Sequence, residues 1–271
     1  MVTSLLILTD FFQAANRALE YATNLAEPLA ARMVLLHVRR DSALDPEMFT
    51  GELSNLSQEA IVLALRSVAR QLAVPVVAEV GHGRVAYAVA DAVGRHLPAA
   101  IVLGRPDYSG TPDELVQTTS LDILRVSPYP MLVVPHSVHS IAPPRRVLLA
   151  VDGDPFTPGG YAGIIQQLLS RLDATITVLH VATGNEAEQL PPMLKATVRT
   201  GLGEELPNLE TRTMTHANAA DGILACAKPD EYDLVALVAR PRSFLGHLFH
   251  RSVTAQVLLH SELPVLVLPS S

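Results

Sequence analysis

Short, unbroken apolar runs alternate along this chain with longer stretches in which apolar residues recur every three or four positions. The runs in the first half are "LLILTD" (Leu5 to Asp10), "MVLLHV" (Met33 to Val38), "VPVVAEV" (Val74 to Val80), "AAIVLG" (Ala99 to Gly104) and "YPMLVVP" (Tyr129 to Pro135). Runs of this length, rich in Val, Ile and Leu, predict strands buried on both faces of a parallel sheet. Between them, Ala18, Leu19, Ala22, Leu25, Ala26 and Leu29 fall on one helical stripe, and Ile61, Leu65, Val68 and Leu72 on another. The segment "VAYAVADAVGRH" predicts a third amphipathic helix, and Pro28 leaves the end of the first one open.

The pattern then repeats. "VLLAVD" (Val147 to Asp152) echoes the first run, "ITVLHV" (Ile176 to Val181) the second, "DLVALV" (Asp233 to Val238) the fourth and "LPVLVLP" (Leu263 to Pro269) the last, all in the same order. A duplication of a strand–helix unit is the simplest account. Strands alternating with helices imply crossover connections and helices on both faces, hence two tandem three-layer α/β/α domains. Their expected limits are residues 1–135 and 146–271. A linker at 136–145, within "HSVHSIAPPRR", is expected to be exposed and stiff, because its prolines and serines interrupt any helical period.

Composition narrows the functions open to such a chain. A formal net charge of -7 lacks the concentrated basic surface that nucleic acid requires. No stretch approaches the ~20 apolar residues of a spanning helix, and the first strand has neither a basic leader nor a cleavage site, so a cytoplasmic protein without membrane contact is expected. Cys226 is the single cysteine. No internal disulfide can therefore form, and a small buried helix residue is the expectation there.

In open parallel sheets, ligands bind beyond the carboxyl ends of the strands where strand order reverses. That rule selects Asp10, Val38 and Gly104 with Arg105 in the first repeat, and Asp152, Val181 and Arg240 with Arg242 in the second. Asp10 and Asp152 stand at equivalent strand tips, where a carboxylate either accepts hydrogen bonds from a ligand or caps the following helix. Several enzyme signatures are absent from the sequence: there is no Walker A loop and no G-x-S-x-G elbow. "GHGRVA" (Gly81 to Ala86) fits a dinucleotide fingerprint in letters only, since it follows the third strand and no acidic residue lies about twenty positions on. His136 with His139 in the linker, and His216 with His247 and His250, are the histidine groups weighed as metal ligands. The linker pair has no acidic or cysteine partner in sequence, His247 and His250 at i, i+3 would need a third ligand from elsewhere such as His216, and no metal is expected.

Taken together, the strand-tip aspartates Asp10 and Asp152, "LHV" at Leu36 to Val38 and Leu179 to Val181, and the endings "LDILRVSPYPMLVVP" and "TAQVLLHSELPVLVLP" resemble the universal stress proteins in their tandem two-domain form. The likeness covers nearly the whole chain. It implies a five-stranded, mainly parallel open sheet in each domain, of the adenine-nucleotide-hydrolase-like type. Nucleotide-binding members of that family carry G-x-x-G, nine residues, then G-[ST], whose glycines and free N–H groups wrap phosphates. Here the glycine positions hold Gly104, Asp107 and Gln117, followed by Thr118, in the first repeat. In the second they hold Val238, Pro241 and Arg251, followed by Ser252. Pro241 has no N–H to offer, and Asp107 would repel a polyphosphate.

The resemblance thus leads to a non-catalytic stress-response protein with degenerate nucleotide sites and no certain cofactor, acting through dimerisation or an unidentified protein partner. Its rival is an ATP- or AMP-binding sensor with at most slow hydrolysis, in which Arg105, Arg240, Arg242 and Arg251 grip phosphate in place of glycine amides. The apolar final strands imply sheet edges that need covering. The two repeats are accordingly expected to pair as a pseudo-dimer, and two chains to form a homodimer.

Overall fold

The computed structural model describes residues 3–39, 58–108, 110–111, 116, 118–157, 162–183, 191–202, 206, 209–240 and 252–270. The first half runs β1 (Ser4–Leu8), α1 (Gln13–Ala26), β2 (Arg32–Arg39), α2 (Gln58–Gln71), β3 (Val76–His82), α3 (Val85–His96), β4 (Ala100–Arg105), α4 (Thr119–Val126) and β5 (Met131–Pro135). The second half repeats that order with β6 (Arg146–Ala150), α5 (Ala162–Arg171), β7 (Thr175–Ala182), α6 (Pro191–Leu202), β8 (Leu209–Thr215), α7 (Ala219–Cys226), β9 (Leu234–Ala239), α8 (Val253–His260) and β10 (Val265–Pro269).

All ten strands belong to one sheet, in the order β3-β2-β1-β4-β5-β10-β9-β6-β7-β8. Within each half every pairing is parallel, and the halves meet through a single antiparallel ladder between β5 and β10, with Leu132 opposite Leu266 and Val133 opposite Val265. This joint covers the two apolar edges that the sequence left open. It also sets the domains head to tail, so the carboxyl ends of their strands point to opposite edges of the sheet.

The central strands are buried on both faces, which is why their sequence runs are apolar without alternation. One face is packed by α1, α2, α5 and α6, through residues such as Leu25, Leu65, Leu168 and Val198, in one apolar cluster that spans both halves. The other face carries α3, α4, α7 and α8, through Val89, Leu124, Ile223 and Leu258. The outermost strands, β3 and β8, show the mixed burial of edges and carry polar side chains; on β3, Glu79 is held by Arg95 at 2.8 Å and His96 at 2.7 Å.

Polar contacts reinforce the junction. Arg171, at the end of α5, donates to the Leu29 carbonyl beyond α1 at 2.5 Å. The connection between the halves is tied to α1. Val138 is buried, Arg17 of α1 donates to its carbonyl at 2.9 Å, and Asn24 of α1 donates to the Ile141 carbonyl at 3.0 Å. At its far end, Asp233 accepts from the backbone N–H groups of both Arg145 and Arg146 at 2.9 Å and from the Arg146 guanidinium at 2.6 Å. Burial alone would raise the Asp233 carboxyl, but these donors outweigh it and hold it below the usual carboxylate range. Cys226 is buried in α7 with its thiol against the Met214 sulfur at 3.3 Å, and burial pushes its pKa up, as suits an inert packing residue.

Candidate functional site

Strand order reverses between β1 and β4 in the first half and between β6 and β9 in the second. A crevice is therefore expected at the carboxyl end of each of these strand pairs.

In the first domain, Asp10 is exposed and its carboxylate accepts from the Phe12 backbone N–H at 2.9 Å. It closes the turn ahead of α1 rather than capping the helix, whose N-cap residue, Phe12, makes no side-chain cap bond. The same turn is held from β2. His37 Nδ1 donates to the Thr9 carbonyl at 2.9 Å, and the His37 ring lies 5.1 Å from that of Phe11. Burial pushes the His37 pKa down, against the smaller opposing effects of Thr9 and Asp10, so the imidazole is neutral at neutral pH. Its counterpart His180 makes the same contact, to the Val151 carbonyl at 3.3 Å. The histidine of "LHV" thus ties the tips of neighbouring strands together in both repeats. Val38 and Val181, which follow it, are half-buried and pack on the α3/α7 side of the sheet.

Gly104 does not face open space. A Cβ built there would lie 2.2 Å from the Ala14 carbonyl oxygen and 2.7 Å from the Ala15 nitrogen. The reason is the short β1–α1 connection: α1 begins at Gln13, three residues after Asp10, and lays its first turn across the end of β4. In the second domain residues 153–157, which follow Asp152, are not helical, and Val238 fits at the equivalent position as a half-buried packing residue.

Arg105 follows Gly104 and reaches into the other domain. Its two Nη groups donate to the Leu258 and Ser261 carbonyls, both at 2.7 Å, so it satisfies the C-terminal end of α8. Burial pushes its pKa down, with Tyr108 and Asp107 opposing. The equivalent residue in the second domain is Ala239, so this contact exists on one side of the pseudo-twofold only.

The second crevice holds an ion pair. Arg240, one residue past β9, reaches the tip of β6 and binds Asp152 through two parallel hydrogen bonds, Nε to Oδ2 at 2.6 Å and Nη2 to Oδ1 at 2.8 Å. It also donates to the Asp154 carbonyl at 2.9 Å and the Pro155 carbonyl at 3.2 Å. The hydrogen bonds to Asp152 outweigh desolvation and raise the guanidinium's pKa. The side chains are 18% and 41% exposed respectively, so the pair lies at the crevice mouth rather than in the core.

Thr118 and Ser252 are helix caps. Thr118 accepts from the Leu121 N–H at 3.3 Å and from the Ser120 hydroxyl at 3.2 Å, and Ser252 accepts from the Ala255 N–H at 3.1 Å. The structure thus brings Asp152 and Arg240 together and sends Arg105 to the domain junction. Gln117, Pro241, Arg242, His247, His250 and Arg251 lie outside the described residues. His216 Nδ1 faces the backbone of Asn218, 2.9 Å from its carbonyl oxygen and 3.2 Å from its nitrogen, and bonds one or the other according to its tautomer; no cluster of three metal-binding side chains occurs among the described residues. Gly81 and Gly83 of the dinucleotide-like "GHGRVA" serve the β3–α3 turn: Gly83 has φ +84°, and a Cβ on Gly81 would press on Ala88 at 3.1 Å.

The acceptors that sequence reasoning missed are backbone carbonyls, those of Asp154, Pro155, Leu258 and Ser261. A carbonyl has no residue signature, so nothing in the sequence marks them. The carboxylate partner of Arg240, by contrast, was in view at the strand tip.

A sequence profile described as the universal stress protein family matches residues 1–135 and 144–269. No curated protein matches the sequence. Among solved structures, a universal stress protein from Archaeoglobus fulgidus shares the fold with a TM-score of 0.71 at 17% identity, covering 98% of each chain. A functionally unknown protein from Pseudomonas aeruginosa PAO1 gives a TM-score of 0.61 at 18% identity over 99% of this chain and 93% of that one. The cytoplasmic domain of a prokaryotic cation chloride cotransporter gives 0.58 at 10% identity over 98% and 95%. These structural likenesses concern the fold alone.

Proposed function

The chain belongs to the universal stress protein family, and from that premise we propose that it is a non-catalytic stress-response protein whose nucleotide crevices have been converted to internal contacts. One observation carries the reading. Among the described residues, the charged groups at the strand tips of the second crevice, Arg240 and Asp152, bind each other. In the first crevice the remaining glycine of the phosphate pattern, Gly104, accommodates α1, and Arg105 is committed to α8. Micromolar affinity corresponds to about 8 kcal/mol, and each charge-assisted contact withdrawn from a phosphate forfeits roughly 1.5–3 kcal/mol, so a few such losses remove most of it. Titration calorimetry of the purified protein with Mg-ATP and with AMP is expected to show no binding at low micromolar concentration. Saturable binding in that range would reject this reading in favour of an ATP or AMP sensor.

On this reading the protein acts through its surface, on a partner or on a second copy of itself. The edges of β5 and β10 already satisfy each other within the chain. Two chains therefore associate through some other face, and light scattering at working concentration is expected to return the mass of a dimer; the mass of one chain would contradict that step.

A further inference from the structure

Helix α2 has two faces. Ile61 and Leu65 turn into the core, and Val68 packs beside them. The opposite side carries Glu59, Val62, Leu63 and Arg66, spaced i, i+3, i+4 and i+7, so the four share one stripe over two turns. Leu63 is 66% exposed, more than any other large apolar side chain among the described residues. With Gln58, these four residues line an open groove of about 530 Å³. Glu59 and Arg66 are both exposed, and their side chains make no ion pair with any described residue. An unspent acid and an unspent base thus flank an apolar centre. The second domain lacks this face. Counting back from the starts of β3 and β8, Leu65 matches Val198, and both are buried. In that alignment Glu59, Val62, Leu63 and Arg66 correspond to Pro192, Lys195, Ala196 and Arg199, which include no acid and no large apolar residue.

We infer that a second copy of the chain docks on this face, α2 against α2, antiparallel about a twofold axis. The inference rests on the dimer proposed above and names the surface that forms it. Turning the helix over about the point between Val62 and Leu63 exchanges position 59 with 66 and position 62 with 63. Glu59 of each chain then meets Arg66 of the other, and Val62 meets Leu63 at the centre. A surface that complements itself under a half-turn is what an isologous interface requires. Its apolar centre and charged ends also match the core-and-rim anatomy of protein interfaces. Because only the first domain carries the face, association closes at two chains; a face on each domain would extend it into open arrays. Two turns of helix are a small surface beside the ~800 Å² per partner of a standard interface, so the dimer is weak and depends on concentration.

Sedimentation velocity over a concentration series tests this on the wild type and on variants at exposed positions, which leave the core untouched. Leu63→Asp, which sets two carboxylates beside the axis, is expected to weaken dimerisation roughly tenfold or more. Glu59→Arg and Arg66→Glu should each weaken it severalfold by opposing like charges, and the combined Glu59→Arg/Arg66→Glu variant should return to the wild-type constant. Mixing the two single variants is the sharper arm, because a face with two bases then meets a face with two acids. Heterodimers are expected there under conditions where neither variant pairs with itself. Arg199→Glu, on the equivalent face of α6, should change nothing. A wild-type dimer whose constant is untouched by Leu63→Asp and by the charge reversals overturns the inference and leaves the dimer itself standing. A wild type that stays monomeric at every concentration overturns the dimer and the inference with it. Species larger than two chains overturn the closure.

Discussion

Replacing Leu266 by aspartate is expected to destabilise the whole chain, not one half of it. Leu266 sits at the middle of the β10 ladder opposite Leu132, and both are buried. Both also belong to the apolar cluster in which Leu5, Leu35 and Leu65 of the first half join Leu149, Leu168 and Val178 of the second. Truncating a leucine at such a site costs roughly 2–5 kcal/mol. A carboxylate with no partner adds a desolvation penalty of several more, about a third or more of the 5–15 kcal/mol that a folded domain typically has in total. Urea unfolding followed by circular dichroism should therefore show a large loss of midpoint for Leu266→Asp and a smaller one for Leu266→Ala. If the halves were merely tethered, only the second would weaken, and a first transition at the wild-type midpoint would persist. That outcome would place the joint elsewhere than β5·β10.

Gly104→Ala is expected to produce the next largest effect. The added Cβ would meet the Ala14 carbonyl oxygen at 2.2 Å, and because that atom is backbone, relief requires α1 to move off the sheet. Overpacking of this kind costs typically 1–3 kcal/mol and occasionally more. With about 2–4 °C of thermal midpoint per kcal/mol in a protein of this size, a drop on the order of 6–12 °C follows from the upper end. Gly94→Ala is the control. Gly94 lies inside α3 with nothing within 4 Å of a built Cβ, and alanine there should raise the midpoint slightly through helix propensity alone. Were Gly104 kept for a phosphate, its substitution would leave the midpoint near that of the wild type and reduce only nucleotide binding.

These two positions show how far the residues spoke for themselves. The runs at Leu5, Met33, Ala99 and Tyr129, and their echoes, located strands and announced the duplication, because a strand buried on both faces cannot afford polar alternation. Asp10 and Asp152 were found at strand tips for the same reason: the apolar run ends where the chain leaves the sheet. Gly104 was legible only as a strand-tip glycine, read there as part of a phosphate-binding pattern. What it must accommodate was not, since that depends on how soon α1 begins after β1 and where its first turn lands. The linker's anchoring was not legible either, because donors on α1, distant in sequence, hold its carbonyls.

By itself, then, the sequence determined what local burial and chain geometry dictate: the elements, their alternation, the two repeats, the three-layer architecture and the strand tips from which a site would be built. Only the tertiary structure decided which acceptors Arg105 and Arg240 meet. Arg105 and the α8 carbonyls are separated by 153 and 156 positions, and Arg240 and Asp152 by 88. Such pairs form or fail according to strand order, the register of β5 against β10 and the length of a single connection. Each side chain has the same composition and the same neighbours in sequence whichever partner it finds, so no local pattern records the choice. It is made when the strands take their order in the one sheet and β10 pairs with β5, which brings strand tips and helix ends distant in sequence side by side.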